Sequence, residues 1–284
     1  MKLANYDDMP WRFIDNPRQG RIEFKEMLAG EDGSTQNYGL VIGRIEPDFA
    51  SPRHRHNFDQ VRLALEGPTN IGPRWNIEPG DLAYFPEGCH YGPQNQGETG
   101  QTALSMVVQF GGASGLGYMS MAQMSQGARE LALTGRFENG VYRYDDPDQT
   151  PRNRDGYEAI WRHVQGQSLT YPSPRFGTPV MVHPDAHAWR VRPDAPGVRE
   201  RLLAVFTERR ITLSMVSLDA GCTWQAAPTD VPVLWFALSG EGTFDGEGRW
   251  SQWSAAEVAA GEAPTLHALA PSVWFRLALP AQAD

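Results

Sequence analysis

The sequence predicts a mainly β protein, two related blocks of strands joined by a helical connector. Three observations carry this. Strand-length apolar or alternating runs recur with Gly or Pro at their ends. Helical texture is confined to the middle of the chain. The two β blocks can be laid on one another without a gap.

The first block runs from about Ile22 to Gly111, through "YGLVIGRIEP", "QVRLALEG", "GDLAYFPEG" and "QTALSMVVQFGG". Short strands at this spacing suggest a sandwich or barrel. The texture then changes. "GGASGLG" (111–117) reads as a flexible linker, with a lid as the other option. "SMAQMSQGARELALTG" reads as a helix, with Ser120 and Gln123 as a capping box and Gly135 at its C-terminal cap. "DDPDQTPRNRD" is a polar linker, and "DGYEAIWRHVQG" a second helix capped by Asp155. Strand texture returns near Pro179 and continues through "RITLSMVSLDAG", "VPVLWFALSGEGTF" and "SVWFRLALP". The expected layout is a first β domain over 1–115, a connector over 116–175 and a second β domain over 176–284.

The blocks look duplicated. With "RLALEG" (62–67) laid on "WFALSG" (235–240), a shift of 173 residues, Ala64, Leu65 and Gly67 fall on Ala237, Leu238 and Gly240. Gly88 then falls on Gly261 at the same shift. A constant offset spanning two glycine turns is the mark of an internal repeat.

Composition narrows the function. The chain has 284 residues, 40% of them apolar, enough to bury a substantial core. Its 25 basic and 34 acidic residues leave a net charge of −9, which argues against nucleic-acid or acidic-membrane partners. Two cysteines, Cys89 and Cys222, make no disulfide framework. The start, "MKLANYDDMPW", lacks the apolar stretch of a signal peptide, so a cytoplasmic soluble protein is expected. A small molecule is the expected partner, with a homodimer as a further possibility.

The chemistry centres on "SPRHRHNFDQVRLALEG" (51–67). Alternation along a strand puts His54 and His56 on one face and Arg55 on the other. Paired neutral imidazoles can ligate a transition metal. A polar strand end or a small anion-binding patch are the plainer readings. In the next stretch, "GDLAYFPEGCHYGPQ" (80–94), a strand and a Pro-x-Gly turn lead to His90.

With both stretches in view, the chain resembles the cupins, and its duplication resembles a bicupin. The first cupin motif is H-x-H, three or four residues, an acidic residue, six residues, then Gly. His54, His56 and Gly67 match it, and Gln60 stands where Glu is expected. The second motif is Gly, five residues, Pro-x-Gly, then His. Gly80, Pro86, Gly88 and His90 match, His90 one residue earlier than the commonest spacing. The resemblance implies two double-stranded β-helix barrels. It also implies a divalent metal held by His54, His56 and His90, with Gln60 either ligating or hydrogen-bonding beside it. Asp59 is the alternative ligand if the turn is shifted by one. At the shift of 173, Ala227, Thr229, Val233 and Ala263 take the ligand positions, and His267 has no partner, so the second barrel is expected to be metal-free.

Other residues can be placed around this site. Arg62 shares the strand parity of Gln60, and either meets a substrate anion or pairs with Asp59 or Glu66. Tyr84 is expected to line the barrel. Trp75 and Tyr91 either stack on an aromatic substrate or belong to the core. Glu87 is expected to be solvated in its turn, and Cys89 to be a core thiol. His163, His183 and His187 form no spaced set and read as structural.

Three neutral histidines would leave the metal its full charge and open positions. That suits an Fe(II) dioxygenase acting on a chelating enolate or phenolic ketone, with Gln60 and Arg62 at the substrate, and the resemblance to cupins, which include dioxygenases that cleave diketones and flavonols, implies the same class. Mn, Ni or Zn are the other metals. The alternatives are a non-redox isomerase or lyase and a binding or sensing cupin.

Overall fold

A computed structural model describes residues 1–13, 21–34, 37–138, 140–206 and 209–280. Two seven-stranded antiparallel sheets dominate it. One has the order Val180–Val182, Leu82–Phe85, Phe58–Glu66, Ala103–Gly111, Tyr38–Ile45, Ile22–Ala29, Arg12–Phe13. The other has the order Lys2–Ala4, Ala255–Val258, Val233–Ser239, Ser272–Ala278, Ile211–Leu218, Val198–Phe206, Arg190–Val191. The two orders correspond strand for strand. Tyr38–Ile45 and Ile211–Leu218 lie 173 residues apart, as do Leu82–Phe85 and Ala255–Val258. Even a β-bulge repeats, at Met27 in one sheet and Leu203 in the other.

The repeated glycine turn has a physical reason. Gly67 and Gly240 both have positive φ, 64° and 91°. A Cβ would come within 2.3 Å of the Thr102 carbonyl at Gly67 and 2.2 Å of Ser272 Oγ at Gly240. Only glycine lets the chain leave these central strands so tightly.

Alternation along the strands builds the core. Val61 and Leu63 point into one apolar cluster with Leu40 and Ile42, and Leu234, Phe236, Leu213 and Met215 of the second sheet join it. The two sheets therefore pack face to face through equivalent positions. The opposite face of each sheet is closed by smaller ones. Over the first lie the pairs Thr69–Gly72 with Trp75–Ile77 and Ala50–Ser51 with Gln94–Asn95. Over the second lies the four-stranded sheet Thr223–Gln225, Thr265–Ala268, Gly242–Phe244, Gly248–Trp250. The fold is mainly β, two jelly-roll-like barrels joined by a helical connector.

Helix α1 (Met121–Leu131) carries the expected capping box between Ser120 and Gln123, and α2 (Gly156–Gln165) is capped by Asp155. Gly166, with φ 68°, ends α2. Three details differ from the sequence reading. Gly135 is not the cap of α1, which ends at Ala132; Gly135 instead opens the strand Gly135–Glu138. That strand forms a three-stranded sheet with Val141–Tyr144 and Asn153–Asp155, so the expected linker ends in a strand. The barrels also exchange edges. Lys2–Ala4 pairs with Ala255–Glu257 of the second sheet, and Val180–Val182 with Leu82–Tyr84 of the first. Edge strands need only backbone pairing, which no local pattern assigns to one half or the other. Among the described residues no helix is long and apolar enough to cross a membrane.

Candidate metal centre

His54 and His56 lie on the extended segment that enters the strand Phe58–Glu66. Their rings sit 5.1 Å apart, centroid to centroid, at 86°. His54 Nδ1 lies 2.8 Å from the Pro52 carbonyl. A carbonyl only accepts, so Nδ1 carries the hydrogen and the lone pair is on Nε2. This is the usual way a second partner sets the tautomer of a ligating histidine.

His90 does not join them. Among the described residues no group of three His, Cys, Asp or Glu side chains is placed to hold a metal ion. The expected set of His54, His56 and His90 is therefore not assembled. The reason is strand parity. Tyr91, not His90, is the direct partner of His54, with reciprocal backbone hydrogen bonds of 3.0 Å each. Directly opposed residues share a face, so Tyr91 turns inward and its neighbour His90 turns away. Tyr91 is buried, with its ring 4.3 Å from that of His54, and its Oη lies 2.8 Å from His56 Nε2. Burial and the charges of Arg53 and Arg55 push the His90 pKa down.

Gln60 and Arg62 both face the interior with Tyr91, as their shared parity requires. Gln60 is fully buried. Its Oε1 accepts from Gln109 Nε2 at 2.8 Å, and Gln109 Oε1 accepts from Tyr118 Oη at 3.1 Å. Gln60 Nε2 has no hydrogen-bond partner among the described residues. Arg62 donates to Tyr91 Oη at 3.2 Å, and its guanidinium lies 5.3 Å from the centre of the Phe85 ring. Its Nε is buried and, among the described residues, has no hydrogen-bond partner. Arg62 meets neither of the carboxylates considered for it: Asp59 is on the opposite face of the strand.

Asp59 shows what that opposite face does. Its carboxylate accepts from Arg175 at 3.0 and 3.1 Å, from Tyr84 Oη at 2.9 Å and from the Glu87 amide at 2.8 Å. It is a structural anchor, not a ligand turned inward by a shifted turn. Burial pushes its pKa up, and Arg175 leads the contacts that oppose this. Tyr84, expected to line the barrel, stacks instead on Phe206 of the second sheet at 4.2 Å. Glu87, expected to be solvated, is buried and accepts from Ser114 N at 2.7 Å and Ser114 Oγ at 2.6 Å. The 111–117 stretch folds over the Pro-x-Gly turn and shields it. Gly88 is needed there: φ is 75°, and a Cβ would lie 2.2 Å from the Pro172 carbonyl. Cys89 is a buried thiol whose pKa is raised by burial. Trp75 packs against the small apolar cluster that contains Tyr91 and Phe85.

The second barrel is filled differently. Trp224, Trp235, Trp250 and Trp274 share its interior with Phe244 and Val233. Arg62 corresponds at the shift of 173 to Trp235, whose ring carries the guanidinium of Arg276 at 4.6 Å. Arg276 donates to Glu200 at 3.0 Å. Thr229 Oγ1 donates to the Val231 carbonyl at 2.8 Å, and His267 is hydrogen-bonded to Thr223 at 2.9 Å. His163 bonds Glu130 between α2 and α1 at 2.6 Å, and His183 bonds Asp81 at 2.9 Å. Both are structural contacts.

Gln109 and Arg175 are the residues that sequence reasoning did not bring to the site or its support, and Tyr91 reads from the sequence only as a stacking or core residue, not as the partner of His54 and His56. A signal existed for Tyr91, which stands at the commonest motif spacing after Gly88. None existed for Gln109 or Arg175, which arrive from distant segments.

No family model and no curated protein matches the chain. Solved structures do. A candidate dioxygenase from Nostoc punctiforme aligns with a TM-score of 0.62 at 10% identity, covering 100% of this chain and 84% of its own. Streptomyces albus HEPD, with 2-hydroxyethylphosphonate and Fe(II) bound, aligns at 0.61 and 14% identity, covering 100% and 76%. Oxalate decarboxylase from Bacillus subtilis, described with Mn(II) centres, aligns at 0.56 and 14%, covering 100% and 78%. These likenesses show a cupin fold across the whole chain.

Proposed function

We propose that the chain is a bicupin metal enzyme whose first barrel holds one divalent transition metal and acts on a small chelating molecule. Fe(II)-dependent dioxygenation of an enolised diketone or phenolic ketone is the favoured reaction. One contrast carries the proposal. The first barrel encloses His54, His56, Gln60, Arg62 and Tyr91, whereas the equivalent interior of the second is filled with tryptophan. Buried polar groups are costly unless hydrogen-bonded, and Gln60 Nε2 and Arg62 Nε are buried here without a partner among the described residues, as a ligand site would leave them. Fe(II) is the first candidate because HEPD was solved with it, and Mn(II) the second because of oxalate decarboxylase.

The residues fit such an ion. His54 presents its Nε2 lone pair, and His56 Nε2 faces the same interior as Tyr91 Oη. Gln60 can offer an amide oxygen if the two amides of Gln60 and Gln109 are turned together, since Tyr118 Oη can accept as well as donate. A bound metal supplies Lewis acidity toward an enolate and, as Fe(II), one-electron chemistry with O2. The chain's own residues bind and orient. With its amide as described, Gln60 Nε2 is a buried donor for a substrate oxygen. Arg62 Nε is a second donor, and its charge offsets that of an anion. Ile71, Ile77 and Phe85 keep the surroundings apolar.

The test has two parts. Elemental analysis of protein purified without added metal should find one transition metal per chain, lost in His56→Ala. Anaerobically loaded Fe(II) protein, screened against diketones and hydroxyketones on an oxygen electrode, should consume O2. Turnover that is unchanged without O2 and with Zn(II) would replace the dioxygenase with an isomerase or lyase. Full metal retention by His56→Ala would remove the site itself.

A further inference from the structure

We infer that Tyr91 is the third protein ligand of this centre, binding through its phenolate oxygen, and that His90 takes no part. The inference rests on the reading of the first barrel as a metal site. Four observations carry it.

The first is placement. The reciprocal backbone bonds between His54 and Tyr91 fix both side chains on the inner face and bring their rings to 4.3 Å. His90, the adjacent residue, makes no such contact. The second is distance. Two ligand atoms at right angles around a transition metal, with bonds of about 2.1 Å, lie about 3 Å apart. Tyr91 Oη and His56 Nε2 are 2.8 Å apart. Without a metal this is a hydrogen bond, and with one it is the spacing of neighbouring ligands.

The third is charge. Two neutral imidazoles and an amide supply no anionic donor. A phenolate supplies one, and the phenol's proton leaves to solvent as the metal binds. The fourth is support for that anion. Arg62 donates to Tyr91 Oη at 3.2 Å and lies 5.6 Å from the centre of its ring. A guanidinium at that oxygen offsets negative charge placed on it.

The probe is iron alone. Wild-type, Tyr91→Phe, His90→Ala and His56→Ala proteins are loaded anaerobically with one equivalent of Fe(II), desalted, and oxidised with ferricyanide. Iron content and the visible spectrum are then read. Wild-type and His90→Ala proteins should hold equal iron and show a phenolate-to-Fe(III) charge-transfer band. Tyr91→Phe should lack the band and bind Fe(II) at least about tenfold more weakly, roughly 1.4 kcal/mol. It keeps the ring and its packing against Phe85, and its circular dichroism should be that of the wild type. If wild-type protein holds iron that His56→Ala loses, yet Tyr91→Phe matches it in band and content, Tyr91 is not a ligand and the metal site stands. Wild-type iron without a charge-transfer band has the same meaning. If wild-type protein takes up no iron, the metal-site reading fails together with this one.

Discussion

Arg175 donates through one guanidinium nitrogen to both carboxylate oxygens of Asp59, at 3.1 and 3.0 Å. Asp59 is buried, one residue from Gln60, and it also holds the backbone amide of Glu87 in the second-motif turn. The connector is thereby tied to both segments that build the candidate centre. Arg175→Met should destabilise the protein by about 2 kcal/mol at neutral pH, the low side of the cost of stranding a buried charge, because Arg175 is partly solvated. The pH dependence has a definite sign. Burial raises the Asp59 pKa and Arg175 pulls against it. A raised carboxyl pKa contributes stability below the unfolded value, lost as pH rises through the folded one. Removing Arg175 raises the folded value further, so more is lost with rising pH. Urea unfolding between pH 4 and 8 should show the defect growing with pH. A defect constant across that range would mean that Arg175 acts by packing alone.

Trp274 and Trp235 make the second barrel a packed core. Both are buried, their rings 6.0 Å apart at 74°. Trp274→Ala should cost about 4 kcal/mol, within the range for emptying a large aromatic site, while leaving the iron content of the first barrel unchanged. Chemical denaturation and elemental analysis on one preparation check both. Two tightly bound metals per chain, one surviving removal of His54 and His56, would contradict the metal-free second barrel.

The duplication was legible because it needed only spacing. Gly67 and Gly240 must both take positive φ, and glycine marks such turns directly. The strand Phe58–Glu66 was legible through alternation, which also placed Gln60 and Arg62 inside. What alternation could not settle was phase after a turn. Sequence spacing places Tyr84 and His90 in the interior, and the Pro-x-Gly turn between them carries no period. Pairing with His54 fixes the phase there and brings in Tyr91. Glu87 departs from its expected solvation for a related reason. A turn glutamate is ordinarily solvated, and only the return of Ser114 across the turn, 27 residues later, buries it.

Arg62 donates to the phenol oxygen of Tyr91, and its buried Nε has no hydrogen-bond partner among the described residues. Arg62→Met should keep the fold and most of the iron, since the methionine stem preserves the contact with Phe85. It should weaken the binding of an anionic chelator. With acetylacetone as the probe, titrated anaerobically into Fe(II) protein, the expected loss is about tenfold, roughly 1.4 kcal/mol. Equal affinity in both proteins would show that the guanidinium serves the phenol and not the ligand.

In the proposed site Gln60 would set the charge that such a ligand meets. Its Oε1 is engaged by Gln109, and its Nε2 is a buried donor without a partner among the described residues. In Gln60→Glu one carboxylate oxygen can keep the bond from Gln109. The other replaces the donor with an acceptor bearing negative charge, next to where an enolate would lie. Two like charges about 4 Å apart at an effective dielectric constant near 20 repel by about 4 kcal/mol, an upper bound that metal and Arg62 would reduce. The variant should therefore hold metal at least as well as the wild type, because a carboxylate is the better ligand, and bind acetylacetone at least about tenfold more weakly. Iron content and anaerobic titration separate the two effects. Tighter acetylacetone binding in the variant would place Gln60 away from the substrate, as a support for Gln109 alone.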